Sequence, residues 1–305
     1  MSFQFGNAQR EKLKAAISFF GASGSGKTLS SMLLAYGMMK EAYPTLSEED
    51  IWNKICVIDT EHKRALLYAN NTIKGFKIGS FRYIPFEAPY STVRYQDAIE
   101  LAKKNGCEVV ILDSLSHAWE GIGGILDQQQ ELGGRFQDWK AMKPIIKEFI
   151  KSLTENDIHI IATLRAKQEY QAEKDDNDKL QIKKMGLKPI QKDDLEYEFM
   201  IVLRTEQNHI AIPTKDNSNL LNENGELITP EHGAKIYQWL ELGIDVKEEE
   251  EKKRTSLIEQ VKLIVNHSDE AAKKLAEFEF KANMKLDDFT IKLAQAAFDR
   301  LQTFK

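Results

Sequence analysis

The chain of 305 residues has only two cysteines, Cys56 and Cys107, and each sits inside a strand-like apolar run. Buried thiols are therefore expected, not a disulfide framework or a thiolate metal site. No apolar run approaches the ~20 residues that span a bilayer, and Met1-Ser-Phe-Gln-Phe-Gly6 lacks the basic and apolar regions of a secretory leader. A cytoplasmic protein with no membrane partner is expected. An excess of positive charge is also missing: 42 Lys and Arg stand against 47 Asp and Glu, a net charge of −5. The molecule is no polycation, so any contact with nucleic acid must come from a local basic surface with salt-dependent affinity. No internal repeat is visible. What remains, with 42% hydrophobic residues, suffices for one large α/β domain and a small appendage.

The most informative stretch is Gly21-Ala-Ser-Gly-Ser-Gly-Lys27-Thr28, of the form G-x-x-x-x-G-K-T. Apolar Ala15-Ala-Ile-Ser-Phe-Phe20 precedes it and helix-like Leu29-Ser-Ser-Met-Leu-Leu-Ala-Tyr36 follows. A strand thus delivers the chain to a tight turn, where successive N–H groups and the positive end of the next helix converge on one anion. Gly21, Ala22, Ser23, Gly24, Ser25, Gly26, Lys27, Thr28 and Leu29 are the candidate nucleotide-binding residues. Lys27 is placed to hold the β- and γ-phosphates, and the Thr28 hydroxyl to ligate Mg²⁺. ATP and Mg²⁺ are the expected ligands. The plainer reading is a chance Gly/Ser turn.

Further along, Ile55-Cys-Val-Ile58, Val109-Val-Ile-Leu112 and Ile158-His-Ile-Ile-Ala-Thr163 read as strands buried on both faces, with a further short strand at Phe81-Arg-Tyr-Ile84. Helical spacing covers about 27–41, 91–104 and 136–153, and a glycine-rich loop is expected over 121–134. Strands alternating with helices predict a mostly parallel, doubly wound α/β sheet. Periodicity fails from Arg165 to Lys192, and Glu173 to Lys179 reads as solvated. A hairpin is expected at 198–203 and 209–212, then a helix to about 240. Lys247-Glu-Glu-Glu-Glu-Lys-Lys-Arg254 is a solvated linker or a helix extension. Ser256-Leu-Ile-Glu259 matches a capping box that opens the first of three amphipathic helices. The domains are thus expected at 1–246 and 247–305, with the linker near 245–255. The second has twelve Lys and Arg against twelve Asp and Glu, so it is neutral.

Phosphoryl transfer needs a metal-orienting carboxylate, a positioner for water and charge on the transition state. Asp113 ends an apolar strand in the Walker B manner, and that strand is expected beside the phosphate-loop strand so that the carboxylate reaches Mg²⁺ through water. Glu61, at the end of another strand, is placed to polarise the attacking water, or is simply a surface Glu. Lys27, Glu61 and Asp113 are the candidate catalytic residues. His62 and His117 have no His or Cys at ligand spacing, which argues against any metal besides that of the nucleotide.

Ile58-Asp-Thr-Glu-His62 and Leu112-Asp-Ser-Leu115 resemble the corresponding stretches of RecA-type recombinases. Asp113-Ser-Leu-Ser-His-Ala-Trp119, Gly134-Arg-Phe-Gln-Asp-Trp139, Lys188-Pro-Ile-Gln-Lys192 and Leu195-Glu-Tyr-Glu-Phe199 look like phage-encoded RecA-like ATPases of the single-strand annealing type, over roughly 10–240. The resemblance implies a RecA-like core, ATP hydrolysis stimulated by DNA, single-stranded DNA as partner, a role in recombination in a bacterial host's cytoplasm, and a ring or filament of identical subunits. It makes Glu61 the catalytic base and Tyr68 a stacker on adenine. Thr163 stands at the γ-phosphate sensor, where the family usually has Gln. Lys188 and Lys192 stand where basic residues reach a neighbour's nucleotide, and Lys215 is placed near the nucleotide. The segments 121–134 and 165–184 become DNA-facing loops. There Arg135, Arg165, Lys167, Lys183 and Lys184 can meet phosphates, while Tyr170 and Phe136 can stack on bases. The plainer reading makes these segments turns and solubilising charge.

Two other classes compete. One is a nucleotide-switched scaffold whose C-terminal helices dock a single-strand-binding protein or replication factor. The other is a small-molecule kinase, disfavoured because 165–192 holds a single Arg where a lid needs several. An AAA+ loader ranks lower too, for want of a sensor and arginine-finger pair.

Overall fold

The structure, a computed structural model, describes residues 6–174 and 180–304, with side chains outside 170–185. The solvated stretch expected at Glu173 to Lys179 lies outside the described residues, except for the backbone of its first two positions. The chain divides into two compact units, Leu13–Leu240 and a second made of 6–12 with 241–304.

In chain order the first unit contains β1 (Ala16–Gly21), α1 (Lys27–Ala42), α2 (Glu48–Asn53), β2 (Ile55–Asp59), β3 (Asn71–Ile73), β4 (Phe76–Ile78), β5 (Arg82–Pro85) and α3 (Thr92–Lys104). Then follow β6 (Val109–Asp113), α4 (His117–Glu120), α5 (Ile125–Glu131), α6 (Trp139–Thr154), β7 (His159–Lys174), β8 (Leu180–Pro189), β9 (Ile201–Thr205), β10 (Ala211–Asp216) and α7 (Pro230–Leu240). The main sheet runs β10-β9-β1-β7-β6-β2-β5, with β8 paired to β7. Only the β9–β10 and β7–β8 pairs of this sheet are antiparallel. Because the central strands are apolar at consecutive positions, each feeds both faces. Ile17, Phe19, Val57, Ile111 and Ile161 pack under α1 and α7, and Ile58, Leu112, Ile160 and Ala162 pack under α3 and α6. This is the doubly wound α/β core that the alternation of strands and helices implies.

Three expectations change. The Walker B strand β6 does not adjoin β1, because β7 lies between them. Apolar runs mark which segments are strands but not which strands are neighbours. The stretch from Arg165 onward is not irregular: β7 continues to Lys174 and pairs with β8 from Ala166↔Pro189 outward. A segment made mostly of polar residues gives no alternating apolar signal, whatever its backbone does. The expected loop 121–134 contains α5, whose Ile125 and Gln129 are buried. Its glycines lie at the helix ends, with Gly124 at the N-cap, and so bracket the helix instead of replacing it.

The second unit is built on α8 (Val246–His267), α9 (Asp269–Ala282) and α10 (Ile291–Leu301). Leu257, Val261, Ile264, Leu275, Phe289, Ala294 and Leu301 form its core. The Ser256 capping-box match is not a helix start. Asp245 caps α8 by accepting the Glu248 N–H at 3.1 Å, and the charged run forms the following turns with a Lys252–Glu248 ion pair of 2.8 Å. Among the described residues no helix is long and apolar enough to cross a membrane.

Candidate active site

The end of β1 enters the phosphate loop at Gly21, opposite Arg165 of β7 and Thr205 of β9. Gly26 adopts φ +90°, and a Cβ there would lie 2.8 Å from Nδ1 of His209, so this turn requires glycine. The Ser25 hydroxyl donates to the Ala22 carbonyl at 2.8 Å and meets the Thr205 hydroxyl at 2.7 Å, which ties the loop to β9. Gln207 adds a bond from its side-chain amide to the Ser23 carbonyl at 3.3 Å. Lys27 lies back across the loop, donating to the carbonyls of Gly21 and Ala22 at 2.9 and 2.8 Å. Burial lowers the pKa of its ammonium, against the opposing pull of Asp113 and Glu61.

Asp113, at the end of β6, is buried between two hydroxyls. Thr28 donates to its Oδ2 at 2.7 Å and Thr163 to its Oδ1 at 2.5 Å. The interposed β7 explains this geometry: the strand separating β1 from β6 supplies Thr163 to bridge the gap. Burial raises the pKa of the Asp113 carboxyl, and the two hydroxyls act in the opposite direction.

Glu61 follows β2 on a turn that Asp59 holds by accepting the N–H of Glu61 at 2.6 Å and of Ala65 at 3.1 Å. Thr60 fastens that turn to β6, since its N–H donates to the Asp113 carbonyl at 2.7 Å and its hydroxyl accepts the Ser114 N–H at 2.8 Å. The carboxylate itself is held in a two-point grip: Arg165 Nε donates to Oε1 at 2.8 Å and Nη2 to Oε2 at 2.9 Å. Burial alone would raise the pKa of Glu61, but the Arg165 guanidinium outweighs it and holds the carboxyl below its usual range. His117, stacked on Tyr90 and 2.6 Å from the Thr60 hydroxyl, has its pKa lowered by burial and then by the charge of Arg165.

Beside the loop lies a cleft of about 360 Å³. Its lining combines the loop residues Gly24, Gly26, Lys27 and Thr28 with apolar walls that include Leu29, Tyr68, Phe76, Leu227 and Ile228. A polar cradle beside apolar walls fits a nucleotide, with phosphates on the loop and the base against the walls.

Other expected residues lie elsewhere. Lys188 pairs with Asp193 at 2.7 Å, Lys192 donates to the Asp193 carbonyl at 3.2 Å, and Lys215 donates to the Tyr197 carbonyl at 2.7 Å. None of the three lines the cleft. Arg135 is exposed and pairs with Asp138 at 3.3 Å, and Lys167 is exposed on β7. The backbones of Tyr170, Lys183 and Lys184 belong to the β7–β8 pair, but their side chains lie outside the described residues. Sequence reasoning missed Asp59, Thr60, Thr205 and His209. The Asp-Thr before Glu61 was a signal for the first two, and none was available for the others.

A doubly wound sheet with a phosphate loop at the end of one strand and carboxylates at the ends of two more defines a P-loop ATPase. Within that class the chain belongs to the AAA domain family, whose model matches residues 13–237. The match takes in the whole of the nucleotide cleft. A search of curated proteins finds no match.

Proposed function

We propose that this chain is a RecA-like, phage-type recombination ATPase that hydrolyses ATP with Mg²⁺, binds single-stranded DNA and works as a homo-oligomer. The observation carrying the proposal is the Arg165–Glu61 pair. Arg165 stands at the root of the β7–β8 ribbon, the segment assigned to DNA, and grips the carboxylate assigned to water activation. A phosphate strand laid on the ribbon competes for that guanidinium, so strand binding frees Glu61. The freed carboxylate then feels burial without its counter-charge and becomes a stronger base. Glu61 orients the attacking water and takes its proton as the water oxygen bonds to the γ-phosphorus. The bond to the β,γ-bridging oxygen breaks, and ADP and phosphate leave.

The Thr28 hydroxyl and Asp113 carboxylate offer adjacent hard oxygen donors of the kind Mg²⁺ takes. They would hold the ion, which supplies charge neutralisation on the phosphates. Lys27 exchanges its two carbonyl partners for phosphate oxygens, Thr163 orients Asp113, and Tyr68 stacks on the base. Arg135, Lys167, Lys183, Lys184 and Tyr170 contact the strand. Lys188 and Lys192 serve a neighbouring subunit's nucleotide, which agrees with their absence from the lining of the chain's own cleft, and Lys215 shares a pocket lining with Lys188.

Steady-state ATP turnover with and without oligo(dT) tests the reading. Lys27→Ala should abolish turnover. Arg165→Ala should raise turnover without DNA by about tenfold, lose most of the stimulation by oligo(dT), and move the acidic limb of its pH profile upward. If oligo(dT) neither binds at low salt nor changes turnover of the native chain, the proposal is wrong.

A further inference from the structure

Helices α9 and α10 of the second unit enclose a groove of about 220 Å³ that none of the roles above uses. Lys274, Glu277, Phe278 and Lys281 lie on one face of α9, at spacings of three and four residues, and Ala297, Arg300 and Leu301 lie on the facing stripe of α10. The floor is apolar: Ala297 and Leu301 are buried and Phe278 is half-buried. The rim is basic, with Lys274, Lys281 and Arg300 all exposed. Lys274 sits 4.7 Å from the ring centre of Phe304, and the Arg300 guanidinium 5.7 Å from that of Phe278. Among the described residues none of these three cations forms an ion pair.

The neutrality of the module as a whole hides this face. Four of its twelve acidic residues are the run Glu248 to Glu251 in the first turns of α8, and around the groove Glu277 alone faces three cations. A pocket of roughly 150 Å³ with apolar walls accommodates a benzene ring. This one therefore has room for an aromatic side chain, under cations spaced to meet carboxylates.

We propose that the α9–α10 groove is a docking site for an acidic peptide segment of a partner protein, anchored by one aromatic side chain on Phe278, Ala297 and Leu301. Lys274, Lys281 and Arg300 pair with the carboxylates that flank the anchor. Charge complementarity selects this occupant. A nucleic acid strand would bring phosphates along its whole length, and the acidic run of α8 tells against a surface built for that polyanion. The proposal is independent of the DNA-coupled ATPase reading, because no residue of the groove belongs to the unit that carries the nucleotide cleft.

Fluorescence polarisation of the full chain tests it, with a labelled octapeptide carrying four Asp and a C-terminal Phe as probe. Native protein should bind the probe, with affinity falling as salt rises. Lys274→Glu and Arg300→Glu should each weaken binding by about tenfold or more, while far-UV circular dichroism and ATP turnover stay native. A probe with Gly in place of Phe, or Lys in place of Asp, should bind at least about tenfold more weakly. The proposal is overturned if the native chain does not bind the probe, if both charge reversals bind it as tightly, or if they weaken binding of oligo(dT) instead.

Discussion

Arg165 and Glu61 are 104 residues apart in the chain, yet they make the closest charged contact of the candidate site. Lys27, Thr28, Glu61 and Asp113 were legible because each occupies a fixed place in a local pattern: a glycine loop, or the first polar residue after an apolar strand. The grip on Glu61 was not, since it depends on how strands two positions apart in the sheet bring their ends together. A second residue-scale feature is His159, whose imidazole lies buried at the start of β7. Its Nδ1 accepts the Ala15 N–H at 2.9 Å, and burial, then the charge of Lys14, lowers its pKa to about 3. The unfolded chain takes up this proton near pH 6.5 and the folded chain does not. Stability is therefore intact above that value and lost as pH falls, by about 1 kcal/mol between pH 6 and 5 from this group. In His159→Asn, whose amide oxygen can accept the same N–H, urea unfolding should show that loss removed. Identical pH dependence in the two proteins would mean that His159 is not held neutral.

At the scale of elements, α1 and α7 approach backbone to backbone. A Cβ on Gly37 would overlap the Pro230 carbonyl, and one on Gly233 would overlap the Leu34 carbonyl. The two glycines face each other's helices, so neither helix can take a side chain there without separating. Gly233→Ala should cost about 1–3 kcal/mol, measured by denaturant midpoint, with the activity of the surviving folded protein retained. The helices themselves were legible from their spacing, and this contact was not, because it is made by residues with no side chain to show a pattern. The same limit hid the β7–β8 ribbon. Its register rests on backbone pairing, whereas α5 was hidden by glycine pairs usually read as breaks, and the charged run before Ser256, open to reading as linker or helix extension, is the start of α8.

For the molecule as a whole, the α/β class followed from the alternation of apolar runs with helical spacing. Strand order needed the three-dimensional structure, since nothing local says that β7 enters between β1 and β6. The acidic net charge has a consequence for the proposed DNA contact, which must rest on a few cations of the ribbon and of the α5–α6 segment. Affinity for oligo(dT), followed by polarisation across a salt series, should fall log-linearly. Lys167→Ala should make that slope shallower by about 0.7, as for the loss of one phosphate contact on a single strand. An unchanged slope would remove Lys167 from the interface.

The path of β7 sets how such a contact acts at a distance. Up to Leu112↔Ala162 the strand is paired with β6, and up to Gly21↔Arg165 with β1; from Ala166 it pairs with β8. Arg165 thus stands where the strand leaves one set of partners for another, while Lys174 lies roughly 30 Å further along. Sliding by one residue would turn every side chain to the opposite face, so the register fixes which residues share a face with Arg165. The guanidinium thus stands at the root of a long arm. On the proposed reading, a strand laid anywhere along that arm would act through a single ion pair, so that ATP turnover would report the state of the whole ribbon.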